Sequence, residues 1–476
     1  MLLGVLWLRH CSQQGKMHPT ILNLPDYRVM DVREVEREYH IKAETITPAG
    51  ACPACHGSAT VGHGRVEILI HDLPVHGKQV GVYVDARRLR CQDCGKTFME
   101  TLPGVNDARR MTERLVKWIG ERSLRHTFTS IAEEIGVVEG TIRNVFADHV
   151  AELERTVKFQ TPQWMGIDEI HIIRRPRAVI SNLKNNTAVN MLPDRDKKTV
   201  ARYLAGLPGR EDVRYVAIDM WVPYREAVRE VLPDVIVVVD KFHVQRLGNM
   251  ALDEFRRSMG RVDKADPMRR KAAGVKKDLA LFRKRERDLT EQERFMLSGW
   301  LNNIPELAEA YRLKEAYFDI YEADSQDTAA ARFEAWAKSV GPEHRAAFAP
   351  ALSAWRNWQP QILAYFDHRI TNAFTESLNS LIRSINRRGR GHSFEVLRAL
   401  VLYSKGAHRI EAKRGSFARQ SWNLETLGRE QPVMHTYTGM AGRTTMMRVP
   451  PTPAVEEVNY GVDIARLVEM LESGEI

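Results

Sequence analysis

Two aspartates close two short apolar runs in the segment VRYVAIDMWVPYREAVREVLPDVIVVVDKFHV. Asp219 follows the run Val213–Ile218, and Asp240 follows the run Val235–Val239. The residues between them have helix composition and place Pro223 where a first helical turn accepts proline. Strand, helix and strand at this length predict a βαβ unit with a buried parallel pair. Carboxylates at the carboxyl ends of such strands lie where α/β sheets usually place chemistry. The alternative is a surface aspartate that merely closes each strand.

Four of the five cysteines form two C-x-x-C pairs, and this spacing is typical of metal binding in a large chain. The pairs are Cys52 with Cys55 and Cys91 with Cys94. Zinc takes four thiolates in a tetrahedron, and each short pair can turn two thiolates towards one ion. The residues between the pairs are β-rich, with a turn near Gly77. We therefore predict one structural Zn²⁺ in a small β module that depends on the metal for its stability.

A third candidate lies on a helix-forming stretch, TNAFTESLNSLIRSINRRGRGH. Glu376, Asn379, Arg383 and Arg387 recur at steps of three and four, so they share one face of the predicted helix. A carboxylate followed by cations on one face suits a metal ion next to a phosphate. An exposed face of ion pairs is the alternative.

The stretch FTSIAEEIGVVEGTIRNV fits a helix-turn-helix, with the small Ala132 where two helices cross and Gly136 at the turn. The positions that pack the two helices together are apolar: Ile131, Ile135, Val137, Ile142 and Val145. The residues left to face a DNA groove are Glu139, Gly140, Thr141, Arg143 and Asn144. An ordinary helical hairpin is the alternative.

Length, composition and net charge limit the classes of protein to which this chain can belong. The chain has 476 residues, 43% of them hydrophobic and 28% charged, with a net charge of +9 and a pI of about 9.2. This length suits roughly two to four globular domains, and the basic balance favours a nucleic-acid partner. The apolar residues 2–9 are too short to span a bilayer and lack the flanks of a secretion signal, and Met17 is a candidate start. We expect a protein of a reducing cytoplasm.

The elements that must position the carboxylates begin near residue 163. Three short strands joined by turns are predicted over 163–194, with Asp168 in the first. A helix capped by Asp196 and ending near Gly206 follows, and then come the two strands that Asp219 and Asp240 close. Residues 245–365 are helical in pattern, and their tryptophans are expected to be core residues.

This order of elements is the layout of the ribonuclease-H-like fold, in which the first and fourth strands are central neighbours and the fifth lies outside the fourth. Neighbouring strands are about 4.8 Å apart, so Asp168 and Asp219 would lie close enough to share metal ions about 3.5–4 Å apart. Asp240 would lie one strand further out. We therefore prefer Asp219 to Asp240 as the second catalytic carboxylate.

Several motifs together resemble the DDE transposases of bacterial insertion sequences, specifically the ISL3 family. They are the CPAC and CQDC knuckles, the helix-turn-helix, GIDEIHI, AIDMWVPY, VVVDKFHV and TNAFTESLNSLIR. The resemblance implies that Asp168, Asp219 and Glu376 are the catalytic triad and hold two Mg²⁺ (or Mn²⁺) ions. It also implies that Asp240 and His243 of DKFH are an auxiliary pair, and that an all-helical insertion follows the fifth strand.

The hypothesis is a multidomain α+β transposase that binds terminal inverted repeats and catalyses DNA cleavage and strand transfer by a two-metal mechanism. Arg143 and Asn144 are assigned to base contacts, the basic residues after Glu376 to phosphate contacts, and the partners are double-stranded DNA and at least one further copy of the chain. Those basic residues are Arg383, Arg387, Arg388 and Arg390. An inactive DNA-binding regulator and a structure-selective nuclease are the alternatives.

The predicted divisions of the chain follow from these motifs. They are an N-terminal extension (1–46), a zinc-binding domain (47–100), a helix-turn-helix domain (101–158), a catalytic domain (159–248 and 366–415), a helical insertion (249–365) and a C-terminal tail (416–476).

Overall fold

The structure is a computed structural model that describes residues 22–48, 50–262, 267–274, 278–389 and 391–404. The chain divides into two compact units, with the main boundary between Phe159 and Gln160. The predicted C-terminal tail, Met17 and Arg390 lie outside the described residues.

A seven-stranded sheet forms the first part of the N-terminal unit. Its strands run in the order β1-β2-β4-β3-β7-β6, and β5 pairs with β4. The bounds are β1 Tyr27–Val35, β2 Glu38–Thr45, β3 Thr60–Val75, β4 Lys78–Cys91, β5 Thr97–Met99, β6 Val105–Asn106 and β7 Met111–Thr112.

The long hairpin of β3 and β4 organises this sheet. Its turn consists of His76 and Gly77, which both have positive φ angles of 55° and 74°, and Val75 pairs with Lys78 across it. Two-residue turns of this kind match the twist of the flanking strands. The predicted turn near Gly77 is confirmed, and it brings the two ends of the hairpin, each with a C-x-x-C pair, back together.

The first two strands belong to the same sheet as the cysteine-bearing hairpin, although the sequence analysis assigned residues 1–46 to an extension. β2 pairs in parallel with β4. Ile41 and Ala43 are fully buried in one core with Val82 and Val84. The alternation of buried and exposed residues in EYHIKAET is the signal that marks this strand.

Three helices complete the unit: α1 Glu113–Ser123, α2 Phe128–Ile135 and α3 Glu139–Thr156. Gly136 ends α2 in the left-handed conformation, with φ 81°, which glycine adopts without a steric penalty. Four of the five predicted packing residues are buried and Val137 is half-buried. The predicted turn and the predicted packing face are therefore confirmed.

The second unit contains a five-stranded sheet in the order β10-β9-β8-β11-β12. The first three strands are antiparallel, and β11 runs parallel to both β8 and β12. The bounds are β8 Trp164–Ile172, β9 Arg175–Asn182, β10 Thr187–Met191, β11 Tyr215–Ile218 and β12 Ile236–Val239. The predicted sequence of three strands, helix, strand, helix and strand is confirmed.

Two helices connect the strands of this sheet. Helix α4, Lys197–Ala205, has Asp196 as its N-cap and Gly206 as its C-cap. Helix α5, Val222–Val231, has a proline in its first turn. Both sets of predicted boundary residues are confirmed, because capping groups and proline act locally.

Helices follow β12 over the next 120 or so residues, and no strand occurs in the described part of this stretch. Trp336, Trp355 and Trp358 are buried there, and Phe333 stacks on Trp355 with ring centroids 4.0 Å apart. The bounds are α6 Lys241–Val262, α7 Pro267–Gly274, α8 Leu279–Arg283, α9 Glu291–Leu301, α10 Pro305–Asp319, α11 Gln326–Ser339 and α12 Pro342–His368.

The last described helices are α13, Ala373–Gly389, and α14, Phe394–Tyr403. Glu376 lies in the first turn of α13. Among the helices that the structure describes, none is both long enough and apolar enough to cross a membrane.

Candidate functional site

Four thiols converge where the β3–β4 hairpin brings its ends together. The Sγ atoms of Cys52 and Cys94 are 3.7 Å apart, and those of Cys55 and Cys91 are 3.5 Å apart. Thiolates about 2.3 Å from one ion in a tetrahedron lie about 3.8 Å from each other. The four cysteines form no disulfide and their Sγ atoms all lie within 4.8 Å of one another. The spacing therefore fits a closed, four-thiolate ion site.

Backbone amides shape each half of this site. The backbone N–H of Cys52 donates to Gly57 O, and the carbonyl oxygen of Cys52 accepts from the N–H of His56. In the other half, the carbonyl oxygen of Cys91 accepts from the N–H of Gly95 in the same way. The N–H groups of Ala54 and Cys55 lower the pKa of Cys52 to about 7. Amides turned towards sulfur stabilise the thiolate that binds a metal ion.

The DNA-facing residues predicted on α3 are exposed, except Thr141, which is half-buried. Arg143 is not free, because its guanidinium forms an ion pair with Glu139 at 2.6 Å and lies 5.2 Å from the centroid of the Phe128 ring.

Three aspartates lie at one level of the second sheet. The register aligns the last residue of β11 with the residue before Asp168 on β8 and with the last residue of β12. Asp168, Asp219 and Asp240 therefore follow one another on three adjacent parallel strands, which are about 4.8 Å apart. This register places Asp168 and Asp219 on neighbouring strands, as predicted, and Asp240 one strand further out.

Glu376 faces this row from α13 and lies next to the DKFH segment. Its Oε1 is 3.5 Å from His243 Nε2. One carboxylate oxygen each of Asp240 and Glu376 and one ring nitrogen of His243 all lie within 4.8 Å of one another. Asp240 and His243, the predicted auxiliary pair, therefore lie next to Glu376, the predicted catalytic glutamate.

The four carboxylates are electrostatically crowded; Asp168 and Asp240 are buried, and Asp219 and Glu376 are half-buried. Asp168 is 5% exposed and Asp240 is 1% exposed. Burial raises the pKa of Asp168 to about 6. His243 opposes this shift, and the charge of Asp240 adds to it. Burial and the charge of Asp168 raise the pKa of Asp219 to about 7, and burial with Asp240 and Asp168 raises the pKa of Glu376 to about 8. Like charges out of water are costly unless a cation joins them.

Several buried polar atoms of this cluster have no hydrogen-bond partner. They are Asp219 Oδ1, Asp240 Oδ2, His243 Nε2 and Asn379 Oδ1. Buried polar atoms normally have partners, and all four are atoms that can coordinate a metal ion. The donor set, mainly carboxylate oxygens, fits Mg²⁺ or Mn²⁺.

Two asparagines hold the carboxylates in place. Asn379 donates its Nδ2 hydrogen to Asp168 Oδ2 at 2.8 Å, while Glu169 N–H donates to the other oxygen at 2.8 Å. Asn372 donates its backbone N–H to Asp240 Oδ1 at 3.1 Å. Asn379 was predicted to share the face of Glu376, but the sequence contains no signal for the part played by Asn372.

A buried polar network docks the start of α13 on the sheet. Ser181 Oγ and Thr375 Oγ1 are 2.6 Å apart, and Thr375 also hydrogen-bonds the side chain of Asn372. Gly166 of β8 leaves the space for this network, because a Cβ atom there would lie 2.4 Å from an oxygen of each of the three side chains. A glycine inside a strand often marks such a close approach, and that is the signal that could have revealed it.

Cations line the same region. Arg195 forms an ion pair with Glu169, and its guanidinium lies 4.1 Å from the centroid of the Trp221 ring. Nothing in the sequence around Arg195 marks it as part of the site. The predicted phosphate-contacting residues Arg383, Arg387 and Arg388 are exposed on α13.

Three models of known protein families match the stretches that contain these sites. A family model described as a transposase matches residues 165–401. A zinc finger of the transposases of IS204, IS1001, IS1096 and IS1165 matches residues 48–94. The helix-turn-helix domain of transposase family ISL3 matches residues 100–150.

Relatives that match about 70% of the chain agree with these family models. The chain is 23% identical over 349 residues to the transposase for insertion sequence element IS1001 of Bordetella parapertussis, covering 72% of this chain and 85% of that protein. It is 24% identical over 358 residues to the transposase for IS1557 of Mycobacterium tuberculosis strain CDC 1551, covering 70% of this chain and 80% of that protein.

The zinc-finger match and the convergent thiols both indicate a structural zinc ion, and the helix-turn-helix match implies DNA binding. The three family models together span the cysteine knuckles, the DNA-binding helices and the acidic sheet edge. The chain belongs to the ISL3 family of insertion-sequence transposases.

Proposed function

We propose that this transposase cuts and joins DNA by a DDE mechanism, with Asp168, Asp219 and Glu376 as its catalytic carboxylates. The observation that carries the proposal is the row of aspartates at one level of three adjacent parallel strands, faced by a glutamate in the first turn of α13. Unpartnered oxygens in that row leave lone pairs available to a cation.

The strand order supports a ribonuclease-H-like catalytic domain. Strands β8 and β11 are parallel neighbours at the centre of the sheet, and β12 lies outside β11. In this proposal, α13 resumes the catalytic domain after a helical insertion that begins within or after α6. The domain boundaries given in the sequence analysis remain part of the proposal.

The three carboxylates would hold two Mg²⁺ or Mn²⁺ ions, which supply Lewis acidity for in-line displacement at phosphorus. The protein groups around them have separate tasks. Asn379 fixes the orientation of Asp168 by donating to one of its oxygens. The buried network of Ser181, Asn372 and Thr375 fixes the start of α13 against the sheet. It therefore also fixes the position of Glu376 over the sheet.

Positive side chains near the carboxylates would bind the DNA backbone. Arg383 favours the ionised form of Asp168, and Arg246 favours that of Glu376, so both cations act on the acidic cluster. Arg195 adds a third cation, held by Glu169 and Trp221. With Arg387 and Arg388, these residues would neutralise phosphates next to the cleaved bond.

The N-terminal unit would recognise the ends of the element. The zinc module would contact the terminal inverted repeats together with α3, from which Glu139, Thr141, Arg143 and Asn144 would reach base edges. Because two ends must be joined, the active form would contain at least two copies of the chain.

A strand-transfer assay with labelled inverted-repeat ends, target DNA and Mg²⁺ tests the proposal. Asp219→Asn should lower strand transfer by roughly 1,000-fold, since it removes a charged ligand from a two-metal site, and should leave end binding intact. Asp234→Asn is the matched control, because Asp234 is exposed in the loop before β12.

Each other outcome has a defined meaning. Activity retained in Asp219→Asn but lost in Asp240→Asn would make Asp240 the second catalytic carboxylate. Binding without cleavage by the wild-type chain would indicate a DNA-binding regulator, and cleavage without joining would indicate a nuclease.

A further inference from the structure

The Asp240–His243–Glu376 cluster offers a nitrogen donor that the DDE carboxylates lack. Asp240 lies between β12 and α6 and His243 lies in the first turn of α6, so their spacing of three residues puts both side chains on one side of that helix start. Glu376 approaches from the first turn of α13. Three separate positions in the chain thus converge on one small volume.

Hydrogen bonding leaves selected atoms of this cluster available. Asp240 is 1% exposed, and its Oδ1 already accepts the backbone N–H of Asn372. Its Oδ2 is buried and has no hydrogen-bond partner, and neither has Nε2 of His243. The contact of His243 Nε2 with Glu376 Oε1, at 3.5 Å, is an ion-pair distance and does not satisfy the ring nitrogen as a hydrogen bond.

The spacing is compatible with coordination of one ion. Oxygen and nitrogen ligands about 2.2 Å from an ion lie within about 4.4 Å of each other. The candidate ligand atoms lie within 4.8 Å of one another, so a side-chain adjustment of a few tenths of an ångström would complete the geometry.

We propose that Asp240, His243 and Glu376 form a cation position of their own, with an imidazole nitrogen among its ligands, that takes Mn²⁺ in preference to Mg²⁺. The proposal rests on the proposed function, since Glu376 would be shared with the catalytic carboxylates. Imidazole suits transition metals, whereas Mg²⁺ prefers oxygen ligands alone. The active site would then contain two chemically distinct kinds of cation position: those of the catalytic carboxylates, with oxygen ligands only, and this one, with oxygen and nitrogen ligands.

Pulsed electron paramagnetic resonance of Mn²⁺ added to the zinc-loaded full chain tests this directly. Mn²⁺ binds thiolate sites weakly compared with zinc, so the zinc module should keep its ion. The wild-type chain should show coupling of Mn²⁺ to a nitrogen nucleus, and labelling histidine with ¹⁵N should change that coupling. The labelling arm needs no variant and therefore does not depend on how a substitution affects folding.

Variants identify which histidine provides the nitrogen. His243→Ala should remove the nitrogen coupling and weaken Mn²⁺ binding at this position by at least about tenfold. His171→Ala is the matched control, because His171 is exposed on β8, and it should keep both the coupling and the affinity. A wild-type chain without nitrogen coupling, or a coupling that persists in His243→Ala, would overturn the proposal.

The two proposals can fail separately. If Asp219→Asn abolishes strand transfer but the wild-type chain shows no nitrogen coupling, only the mixed-ligand position is wrong. If the coupling depends on His243 while Asp219→Asn transfers strands normally, the assignment of the catalytic carboxylates is wrong and the cation position stands.

Discussion

The thiolate site of the N-terminal unit and the carboxylate site of the second unit both gather ionisable side chains, but by opposite means. The four cysteines come from the two ends of one hairpin and lie within 43 residues of sequence. The carboxylates come from a strand, two strand-to-helix junctions and a helix that follows seven others after β12, with about 200 residues between the first and the last.

The surroundings differ as well. Backbone amides of the first knuckle turn towards the sulfur of Cys52, and backbone hydrogen bonds fold both knuckles locally, so the local chain prepares much of the thiolate site. Around the carboxylates, burial raises the pKa of each acid, and asparagine and hydroxyl side chains from distant elements fix their positions. The comparison indicates that the thiolate site stabilises its own module, whereas the carboxylate site is stabilised by the fold around it.

The sharpest test of this contrast is the removal of one cysteine from each knuckle. Cys52→Ser with Cys94→Ser should unfold the module, because zinc contributes on the order of 10 kcal/mol to the folding of small zinc domains. Metal analysis should show a fall from about one zinc per chain to none, and proteases should then cut the β3–β4 hairpin. Cys11→Ser is the control, because Cys11 is the fifth cysteine of the sequence and belongs to neither C-x-x-C pair. Zinc retained by the double variant would place the ion elsewhere.

Loss of a carboxylate should have the opposite effect on stability. Asp219→Asn should raise the melting temperature of the zinc-loaded chain without magnesium by roughly 2–4 °C, since a neutral amide replaces a buried carboxylate that Asp168 repels. Thermal unfolding followed by calorimetry above the pKa of about 7 measures this. Asp234→Asn should leave the melting temperature unchanged. A lower melting temperature in Asp219→Asn would mean that this carboxylate stabilises the fold, as the thiolates do.

The supporting residues should matter less than the ligands. Asn379→Ala should lower the strand-transfer rate about 10- to 100-fold, the usual cost of losing a group that orients a metal ligand. The rate should recover in part at higher Mg²⁺ or Mn²⁺ concentration, whereas a general folding defect would not. Ser380→Ala, one residue further and exposed, should match the wild type. A rate loss that is the same at every metal concentration would contradict the orienting role of Asn379.

The smallest effect is expected on the DNA-reading face of α3. Arg143→Ala should reduce discrimination between element ends and random DNA by about 1–3 kcal/mol, the range for a base contact. Competition binding at fixed salt measures it. Lys117→Ala, on α1 of the same unit, is the comparison variant. An equal loss of affinity for both DNAs would make Arg143 a phosphate contact.

Features set by local sequence could be predicted well. The spacing of the knuckles, the glycine at the end of α2, the aspartate cap of α4 and the proline of α5 all follow from rules that act over a few residues. The placement of Asp168 beside Asp219 needed only the strand order, because register then aligns the strand ends.

Features that join distant elements could not be predicted in this way. Nothing near Asn372 indicates that its backbone amide binds Asp240, or that its side chain meets Thr375 and Ser181. Arg195 reaches Glu169 and Trp221 only after β8, α4 and α5 have come together. Side-chain partners of this kind depend on packing angles, which one sequence does not specify.

The missing Cβ of Gly166 has a consequence beyond the chemistry of the site. The methyl group of an alanine at this position would clash with the three side chains that hold the start of α13 against the sheet. The clash would move Glu376 away from the aspartates. The residues of the N-terminal unit would stay unchanged. Under the proposed function, such a protein would bind the ends of its element without processing them and so compete with intact copies. A single methyl group would thus convert a mobilising enzyme into a repressor of its own movement.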